Sequence, residues 1–171
     1  WCFPWTMAGV AGTNICLRSI DAASIYTAIA DHNVSHFCGA PVVLNMMINA
    51  DQSVRTRFDH TVEVMTAAAP PPAAVLETME AEGFHVTHVY GLTEVYGPAV
   101  VCAWHDKWDA LPSGERAILK ARQGVPYHIL EGAAVADSDT LISVPTDGQT
   151  IGEILLRGNV VMKGYLKNQQ A

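Results

Sequence analysis

Five consecutive residues, Tyr90-Gly91-Leu92-Thr93-Glu94, carry the side chains with the clearest chemistry. They follow a β-prone segment that begins at Phe84, and ligands in α/β sheets bind beyond the carboxyl ends of strands. A tyrosine can stack on a flat base, and a glycine lets a ligand approach the backbone. A threonine hydroxyl can donate to a phosphate oxygen, and a glutamate can supply one oxygen to Mg²⁺. This combination indicates a site for a nucleotide and a metal ion, although a polar turn after a buried strand would explain it too.

A second candidate segment, Thr66 to Pro72, has the sequence TAAAPPP. We expect it also to follow a strand, because Val62 and Val64 alternate with other residues before it. Its alanines permit close contact with a planar ligand. Its three prolines fix φ and remove amide donors, which lowers the cost of ordering the loop. A plain connection between a strand and a helix is the alternative interpretation.

Several other catalytic and metal-binding patterns are absent from the sequence. His85 and His88 are three residues apart on a predicted strand, so their side chains point to opposite faces and cannot chelate one metal ion. The segment Gly9 to Thr13 lacks the GxxxxGK[ST] pattern of a phosphate loop and is interpreted as a turn. The sequence has no GxSxG elbow, so it gives no evidence for a serine hydrolase. It also has no CxxC pair, and a chain of this length can form a core without disulfides, so we expect its four cysteines to be reduced thiols.

The composition limits the class of protein and its partners. The chain has 171 residues, of which 50% are hydrophobic and 16% charged, and its formal net charge is −7. Half apolar content excludes a disordered chain, and the length suits one domain or two small modules. Acidity without a Lys/Arg cluster argues against a nucleic-acid partner, and no apolar run approaches the ~20 residues of a membrane-spanning helix. We therefore expect a cytoplasmic protein with no nucleic-acid partner and no stable membrane insertion.

The order of predicted elements favours an α/β fold in the first part of the chain. Asp21 is a good N-cap for a helix that runs to about His32, and Pro41 suits the first turn of a second helix. The other elements predicted before Trp104 are strands over residues 34–37, 61–66 and 84–90 and a helix over 73–82. Such alternation predicts a partial parallel sheet flanked by helices.

The second part has a different pattern. A charged helix is predicted from Ser113 to about Gln123, whereas Trp1 to Trp5 shows no capped start of an element. Short segments separated by Gly, Pro and Asp predict antiparallel strands, with a hairpin-type turn at Asp147-Gly148. These strands are predicted over residues 125–130, 133–136, 140–144 and 151–157. We expect an α/β part over residues 1–110, followed by a connecting helix and a β-barrel-like antiparallel part over 111–171.

Three of these segments resemble motifs of the AMP-forming acyl-CoA synthetases of the adenylating superfamily. Tyr90 to Glu94 matches the motif YGxTE, and Thr66 to Pro72 resembles the adenine-binding loop TAGAPPP. Gly152 to Tyr165 is similar to the stretch GEIxxRGxxVMxGY. The segments 1–5, 38–41 and 108–124 resemble the branch that activates short- and medium-chain carboxylates, including 3-methylmercaptopropionate. The resemblance covers nearly the whole chain and implies part of the large N-terminal domain of such a synthetase.

The resemblance implies a ligase that joins a small carboxylate to ATP as an acyl-adenylate and passes the acyl group to coenzyme A. Its implied cofactors and co-substrates are ATP, Mg²⁺ and coenzyme A, and a homodimer is an expected form of the full-length protein. Thr93 and Glu94 are the implied catalytic residues: Thr93 touches the α-phosphate, Glu94 holds Mg²⁺, and Tyr90 stacks on adenine. The other implied nucleotide-binding residues are Ala67, Ala68, Ala69, Pro70, His88, Val89 and Gly91. The implied acyl or coenzyme A pocket is formed by Trp1, Gly39, Ala40, Pro41 and Gly91.

One position departs from the family pattern, because Ala68 stands where relatives usually carry Gly. A methyl group there would narrow the acyl or adenine pocket, or be harmless if φ is negative, which bears on the preferred substrate length. The family's phosphate loop with its lysine would precede Trp1, and its ribose-binding aspartate and catalytic lysine would follow Tyr165. We therefore expect an internal fragment that is inactive by itself. The alternatives are an adenylating enzyme that loads a carrier protein and a nucleotide-binding module without catalysis.

Overall fold

The computed structural model describes residues 2–168, with the side chain of Cys2 left out of the description. The helices are α1 Cys2–Gly9, α2 Ala22–His32, α3 Pro41–Ile48, α4 Ala73–Ala81 and α5 Ser113–Lys120. The strands are β1 His36–Cys38, β2 Val62–Thr66, β3 Phe84–Gly91, β4 Pro98–Val101, β5 Val125–Pro126, β6 Gly132–Ala136 and β7 Glu153–Arg157. Short 3-10 turns cover Thr93–Val95 and Asp106–Trp108.

Local chemistry explains where the central helices begin and end. The Asp21 carboxylate accepts the Ser24 amide at 2.8 Å and so caps α2, and Asn33 ends that helix in the left-handed region with φ 51°. Pro41 opens α3 in the first turn, where its missing amide costs no hydrogen bond. Gly83 takes φ +94° after α4, as a residue without Cβ does most easily. These predicted boundaries are confirmed to within one or two residues.

Five strands form one sheet in the order β1-β2-β3-β4-β5. The strands β1, β2 and β3 are parallel, whereas β3–β4 and β4–β5 are antiparallel pairs. The predicted α/β class and the parallel core of the sheet are confirmed. The strand β4 was not predicted, because the segment after Gly91 was interpreted as a loop. It forms because the chain turns back at Gly97 and lies beside the free edge of β3.

The hydrophobic core lies on one face of this sheet. Alternate residues of β2 and β3 point into it, and they pack with side chains from α2, α3, α4 and Ala117 of α5. The strand residues of the core are Val62, Val64, Phe84 and Val86, each at most 2% exposed. The opposite face carries Glu63, Met65, His85 and Thr87, which are half-buried. Helices α3 and α5 flank α4 on the core side, so one layer of helices covers one layer of strands.

Residues 127–168 form a separate two-stranded antiparallel sheet of β6 and β7, with Ala136 paired to Glu153 and Gly132 to Arg157. The strand predicted over 140–144 is wrong: this segment makes one isolated bridge, from Ser143 to Ala136. It cannot extend, because the Asp137 carboxylate accepts the amides of residues 139 and 140 and Leu141 takes φ 56°. The predicted strand over 125–130 is reduced to Val125–Pro126. The antiparallel character is confirmed, while the described residues of this part close no barrel.

The start of the chain also differs from expectation. Residues 2–9 form α1, in which Pro4 occupies the first turn, although no cap residue announces it. The chain then turns, with the Gly12 amide donating to the Met7 carbonyl at 2.7 Å, as predicted for residues 9–13. Across the described residues, no helix combines the length and apolarity that a membrane crossing requires. The division at residue 110 stays a prediction; α5 packs on α4, and β5 extends the main sheet.

Candidate functional site

The carboxyl ends of three parallel strands meet at one edge of the main sheet. Cys38, the last residue of β1, is in register with Met65 of β2, and the Gly39 amide donates to the Met65 carbonyl at 3.1 Å. Thr66, the last residue of β2, is in register with His88 of β3. Gly39-Ala40-Pro41 and Ala67 to Pro72 therefore leave the sheet side by side. Leu92 to Glu94 follow at the same edge, after β3 has continued three residues beyond His88. The strand order brings together three of the predicted site segments, and the middle one is the alanine–proline loop.

The loop after β2 has an unusual backbone conformation. Ala68 takes φ +81°, a region that residues with a Cβ rarely adopt. Position 68, where the family pattern has Gly, therefore has a positive φ, which glycine adopts more easily than alanine does. Pro71 is buried and fixes the loop to the start of α4, whereas Ala68, Ala69 and Pro70 are exposed. The loop thus presents small exposed side chains at the sheet edge from a rigid base.

The corner after β3 requires a glycine at position 91. A Cβ at Gly91 would lie 2.0 Å from the Gly97 carbonyl oxygen, because the chain reverses tightly between β3 and β4. The pairing of these strands shifts register between Tyr90 and Gly91, so the corner is a bulge. Val95 is 3% exposed and fixes the 3-10 turn to the protein. Tyr90 stays half-buried, and Thr93 is exposed just beyond the bulge.

Glu94 is held by a segment more than sixty residues away in the chain. Its Oε1 accepts a hydrogen bond from the Tyr165 hydroxyl at 2.6 Å. Its main-chain carbonyl accepts the Met162 amide at 2.7 Å. The hydrogen bond from Tyr165 lowers the pKa of Glu94 below its ordinary value, and the same bond raises the pKa of Tyr165. Glu94 is therefore ionised at neutral pH, and its Oε1 is bonded to Tyr165.

The remaining predicted residues occupy different surroundings. His88 is 2% exposed, and its ring Nδ1–H donates to the Arg122 carbonyl at 2.9 Å, so its side chain faces the segment after α5. Val89 is 3% exposed and is in register with Val101. Only the backbone of these two residues lies near the sheet edge. Pro41 is buried as the first residue of α3, and Trp1 lies outside the described residues.

The Glu94 carboxylate at this corner could serve as one ligand of a Mg²⁺ ion. Residues 2–168 contain no group of three or more His, Cys, Asp or Glu side chains that could hold a metal ion. Within that range, Glu94 Oε2 accepts no hydrogen bond from another residue, so one oxygen of an ionised carboxylate is available. Mg²⁺ takes one or two carboxylates together with water and phosphate oxygens. A single available carboxylate oxygen is consistent with that preference.

Two surface grooves lie away from this edge, beside α5. One, of about 580 Å³, is lined by residues such as Trp108, Leu111 and Ile118, and the other, of about 520 Å³, by Trp104 and Lys120 among others. A cavity shared by the alanine–proline loop and the Tyr90–Glu94 corner therefore stays a prediction. What the structure supports is the adjacency of the two segments at neighbouring strand ends.

The family assignment follows from comparison with known proteins. The family described as AMP-binding enzyme matches residues 1–166. The chain belongs to this family. An acetate–CoA ligase of Humulus lupulus and a peroxisomal acetate/butyrate–CoA ligase of Arabidopsis thaliana are each 54% identical to the chain over 172 residues and cover 100% of it. The chain spans about 30% of the length of these curated relatives.

Solved structures of CoA ligases contain a region with the same fold as this chain. A benzoate CoA ligase from Burkholderia xenovorans matches 95% of the chain with a TM-score of 0.77 at 18% identity, using 31% of its own length. An O-succinylbenzoate coenzyme A synthetase from Bacillus subtilis, solved with ATP and magnesium ion, matches 96% of the chain with a TM-score of 0.72 at 17% identity, using 31% of its length. At such identities the likeness establishes the fold. The expected resemblance to acyl-CoA synthetases is confirmed by the family match and by the CoA ligases at 54% identity.

Proposed function

We propose that the chain supplies the nucleotide-binding edge of an AMP-forming acyl-CoA ligase acting on a short- or medium-chain carboxylate. The observation that carries this proposal is that three parallel strands have their carboxyl ends at one edge of the sheet, where the segment after β3 holds a Glu94 carboxylate fixed by Tyr165. Ligands of parallel sheets bind at such an edge, and the family and its named relatives supply the reaction class.

The proposed roles follow from where each side chain lies. The half-buried Tyr90 stacks on adenine, and the small residues Ala67, Ala68, Ala69 and Pro70 form the opposite wall. Thr93, exposed beyond the bulge, donates to the α-phosphate. Gly91 is required for the tight chain reversal that positions Thr93 and Glu94, because a Cβ there would collide with the Gly97 carbonyl. The backbone of His88 and Val89 supports this wall, and their side chains point away from it.

The first step forms a bond between a carboxylate oxygen and the α-phosphorus of ATP, and the bond from that phosphorus to pyrophosphate breaks. In the second step the coenzyme A sulfur attacks the acyl carbon, AMP leaves, and the thiol proton is lost. Catalysis of phosphoryl transfer is mainly positioning and charge neutralisation. Glu94 would hold Mg²⁺, which when bound neutralises phosphate charge. The residues at the edge orient the nucleotide for in-line attack.

The acyl chain is proposed to lie near Gly39, Ala40 and Pro41, which leave the sheet beside the nucleotide loop. The names of the relatives, acetate, butyrate and 2-methylpropanoate ligases, support a small carboxylate. The methyl group of Ala68 was expected to be harmless only if φ were negative, and φ is positive. We therefore propose that this methyl group narrows the acyl or adenine pocket. Transfer to coenzyme A, a homodimeric state and a cytoplasmic location are part of this proposal, although at least three of the curated relatives are named as peroxisomal.

The deciding experiment uses the complete ligase that carries this chain. Glu94→Gln keeps the size of the side chain and removes its charge, so carboxylate-dependent ATP–pyrophosphate exchange should fall about 100-fold or more. Binding of the carboxylate should change by less than about threefold, since Glu94 faces phosphate. Glu115→Gln, on the exposed side of α5, is the matched control and should keep full exchange. Unchanged exchange in Glu94→Gln would remove Glu94 from its role, and a carrier thiol preferred over coenzyme A would favour the carrier-loading alternative.

A further inference from the structure

The segment after β7 donates two hydrogen bonds to Glu94. The Met162 amide binds its main-chain carbonyl at 2.7 Å, and the Tyr165 hydroxyl binds its carboxylate at 2.6 Å. Gly164, with φ +147°, lies between these two contacts and permits the backbone turn that a side chain would disfavour. The first contact sets the position of the backbone of Glu94, and the second sets the rotamer of its side chain.

The hydroxyl of Tyr165 is suited to orientation rather than to chemistry at the phosphate. A phenol donates one proton, and here Glu94 Oε1 accepts it, which leaves the other carboxylate oxygen without a donor from another described residue. A carboxylate with one oxygen tied in a short charged hydrogen bond presents the second oxygen in a defined direction. Tyr165 is half exposed, and Glu94 is the only hydrogen-bond partner of its hydroxyl within residues 2–168.

We propose that Tyr165 is a positioning residue for Glu94, orienting its carboxylate toward the divalent cation that accompanies ATP. This inference rests on the proposed function, because it needs a metal–nucleotide complex at the sheet edge. It assigns to the Gly158–Tyr165 segment a task in the nucleotide site, reached from the small antiparallel sheet. Tyr165 acts through Glu94 and touches no reacting atom.

The test measures binding of ATP by calorimetry to the complete ligase without carboxylate, so that no turnover occurs. Each protein is titrated once with saturating Mg²⁺ and once with a chelator. Tyr165→Phe, which removes only the hydroxyl, should weaken binding of magnesium–ATP about three- to tenfold. It should leave binding of metal-free ATP within about twofold, since the ring and the backbone contacts are kept. Tyr127→Phe, whose hydroxyl makes no hydrogen bond within the described residues, is the matched control and should bind as the unaltered protein does.

A double variant separates orientation of Glu94 from other effects of the hydroxyl. In the Glu94→Gln background, Tyr165→Phe should add no further loss of magnesium–ATP affinity, because the group it orients is already gone. A loss that persists in that background, or an equal loss with and without Mg²⁺, overturns the positioning role. Unchanged affinity in Tyr165→Phe, with ATP bound normally by the unaltered protein, overturns this inference alone. Failure of the unaltered protein to bind ATP overturns the proposed function and this inference with it.

Discussion

The helix-covered sheet (residues 21–126) and the two-stranded region (residues 127–168) use apolar residues in opposite ways. In the helix-covered sheet, Leu44, Met47, Leu76 and Met79 are fully buried among helices and strands. In the two-stranded region Ala136 is the only buried hydrophobic residue among those described. Ile151 is 94% and Leu166 91% exposed there. The first region has a buried apolar core, with some exposed apolar side chains such as Val42 and Ile118, whereas the described residues of the second region form no such core.

This difference in burial explains why the helix-covered sheet is specified by its own residues to a greater extent than the two-stranded region is. Apolar burial is the dominant driving force of folding, so a region that buries its hydrophobic residues within itself specifies its elements locally. Exposed isoleucine and leucine side chains in the two-stranded region need other surfaces to cover them. The chain spans about 30% of its curated relatives, which leaves ample room for such surfaces in a longer protein.

The largest contrast is expected from truncating one apolar residue in each region. Leu44→Ala, at a fully buried site, should lower the free energy of unfolding by roughly 3–5 kcal/mol through lost burial and a residual cavity. Ile151→Ala should change it by less than about 0.5 kcal/mol in the 171-residue chain. Urea unfolding followed by circular dichroism measures both. If Ile151→Ala costs as much as Leu44→Ala in this chain, the contrast between the regions is wrong.

A second contrast concerns ion pairs. Lys120 is 5% exposed and binds Glu80, a residue of α4, while its ammonium group lies 4.7 Å from the Trp104 ring centre. Glu80→Gln would leave this ammonium buried without its counter-charge, so unfolding free energy should fall by about 3 kcal/mol. Glu131→Gln breaks the exposed pair with Arg157 in the two-stranded region and should cost less than about 0.5 kcal/mol.

The control for this pair is the double variant Glu80→Gln with Lys120→Met, which removes both charges. Replacing a buried pair by apolar groups is often nearly neutral, so the double variant should recover much of the lost stability. Thermal unfolding at two salt concentrations adds a check, because added salt screens the exposed pair more than the buried one. An equal cost for Glu80→Gln and Glu131→Gln would contradict the difference in burial.

The same division governs what the sequence could predict. The caps at Asp21 and Pro41 and the alternation of Val62 and Val64 act over a few residues, so the elements they predict match the structure. The strand predicted over 140–144 had suitable side chains, but hydrogen bonds to Asp137 turn the chain there. The strand β4 depends on a partner, the free edge of β3, which no local pattern announces. The errors therefore have two causes: local hydrogen bonds that override strand-like side chains, and strand pairing that no local pattern announces.

The candidate site shows the same limit. The order of predicted elements was sufficient to place Ala67 to Pro72 and Tyr90 to Glu94 at one edge, since the carboxyl ends of parallel strands lie at the same edge of a sheet. The contact between Glu94 and Tyr165 was not predicted, although both residues belong to segments that resemble family motifs. No spacing rule relates positions so far apart in the chain, and only the path of the two-stranded region brings them together.

A smaller effect is expected from relieving backbone strain in the helix-covered sheet. Ala68 has φ +81°, which costs an alanine roughly 1 kcal/mol relative to glycine. Ala68→Gly should therefore raise unfolding free energy by up to about 1 kcal/mol, while Ala69→Gly, where φ is not positive, should lower it by about 0.5–1 kcal/mol. In the complete ligase, Ala68→Gly should also extend the accepted carboxylate length, measured as the ratio of kcat/KM for longer and shorter acids. A destabilised Ala68→Gly protein would show that the methyl group is packed rather than strained.

The smallest effect is a pH response confined to a turn of the two-stranded region. The Asp147 carboxylate accepts the amides of Gln149 and Thr150 and the Thr150 hydroxyl, and the two amides together with that hydroxyl lower its pKa from 3.8 to about 2. Since the folded pKa lies below the unfolded one, the stabilisation is complete above about pH 4 and is lost as pH falls through about 2. Amide NMR shifts of Gln149 and Thr150 should follow a midpoint near 2, and Asp147→Asn should abolish that titration while keeping an acceptor oxygen. Asp147→Asn should leave the unfolding midpoint of the helix-covered sheet unchanged, because the turn is exposed and its hydrogen bonds lie within residues 147–150. A midpoint near the ordinary aspartate value would mean that the turn is open in solution, which would extend the contrast between the two regions from side-chain burial to the backbone itself.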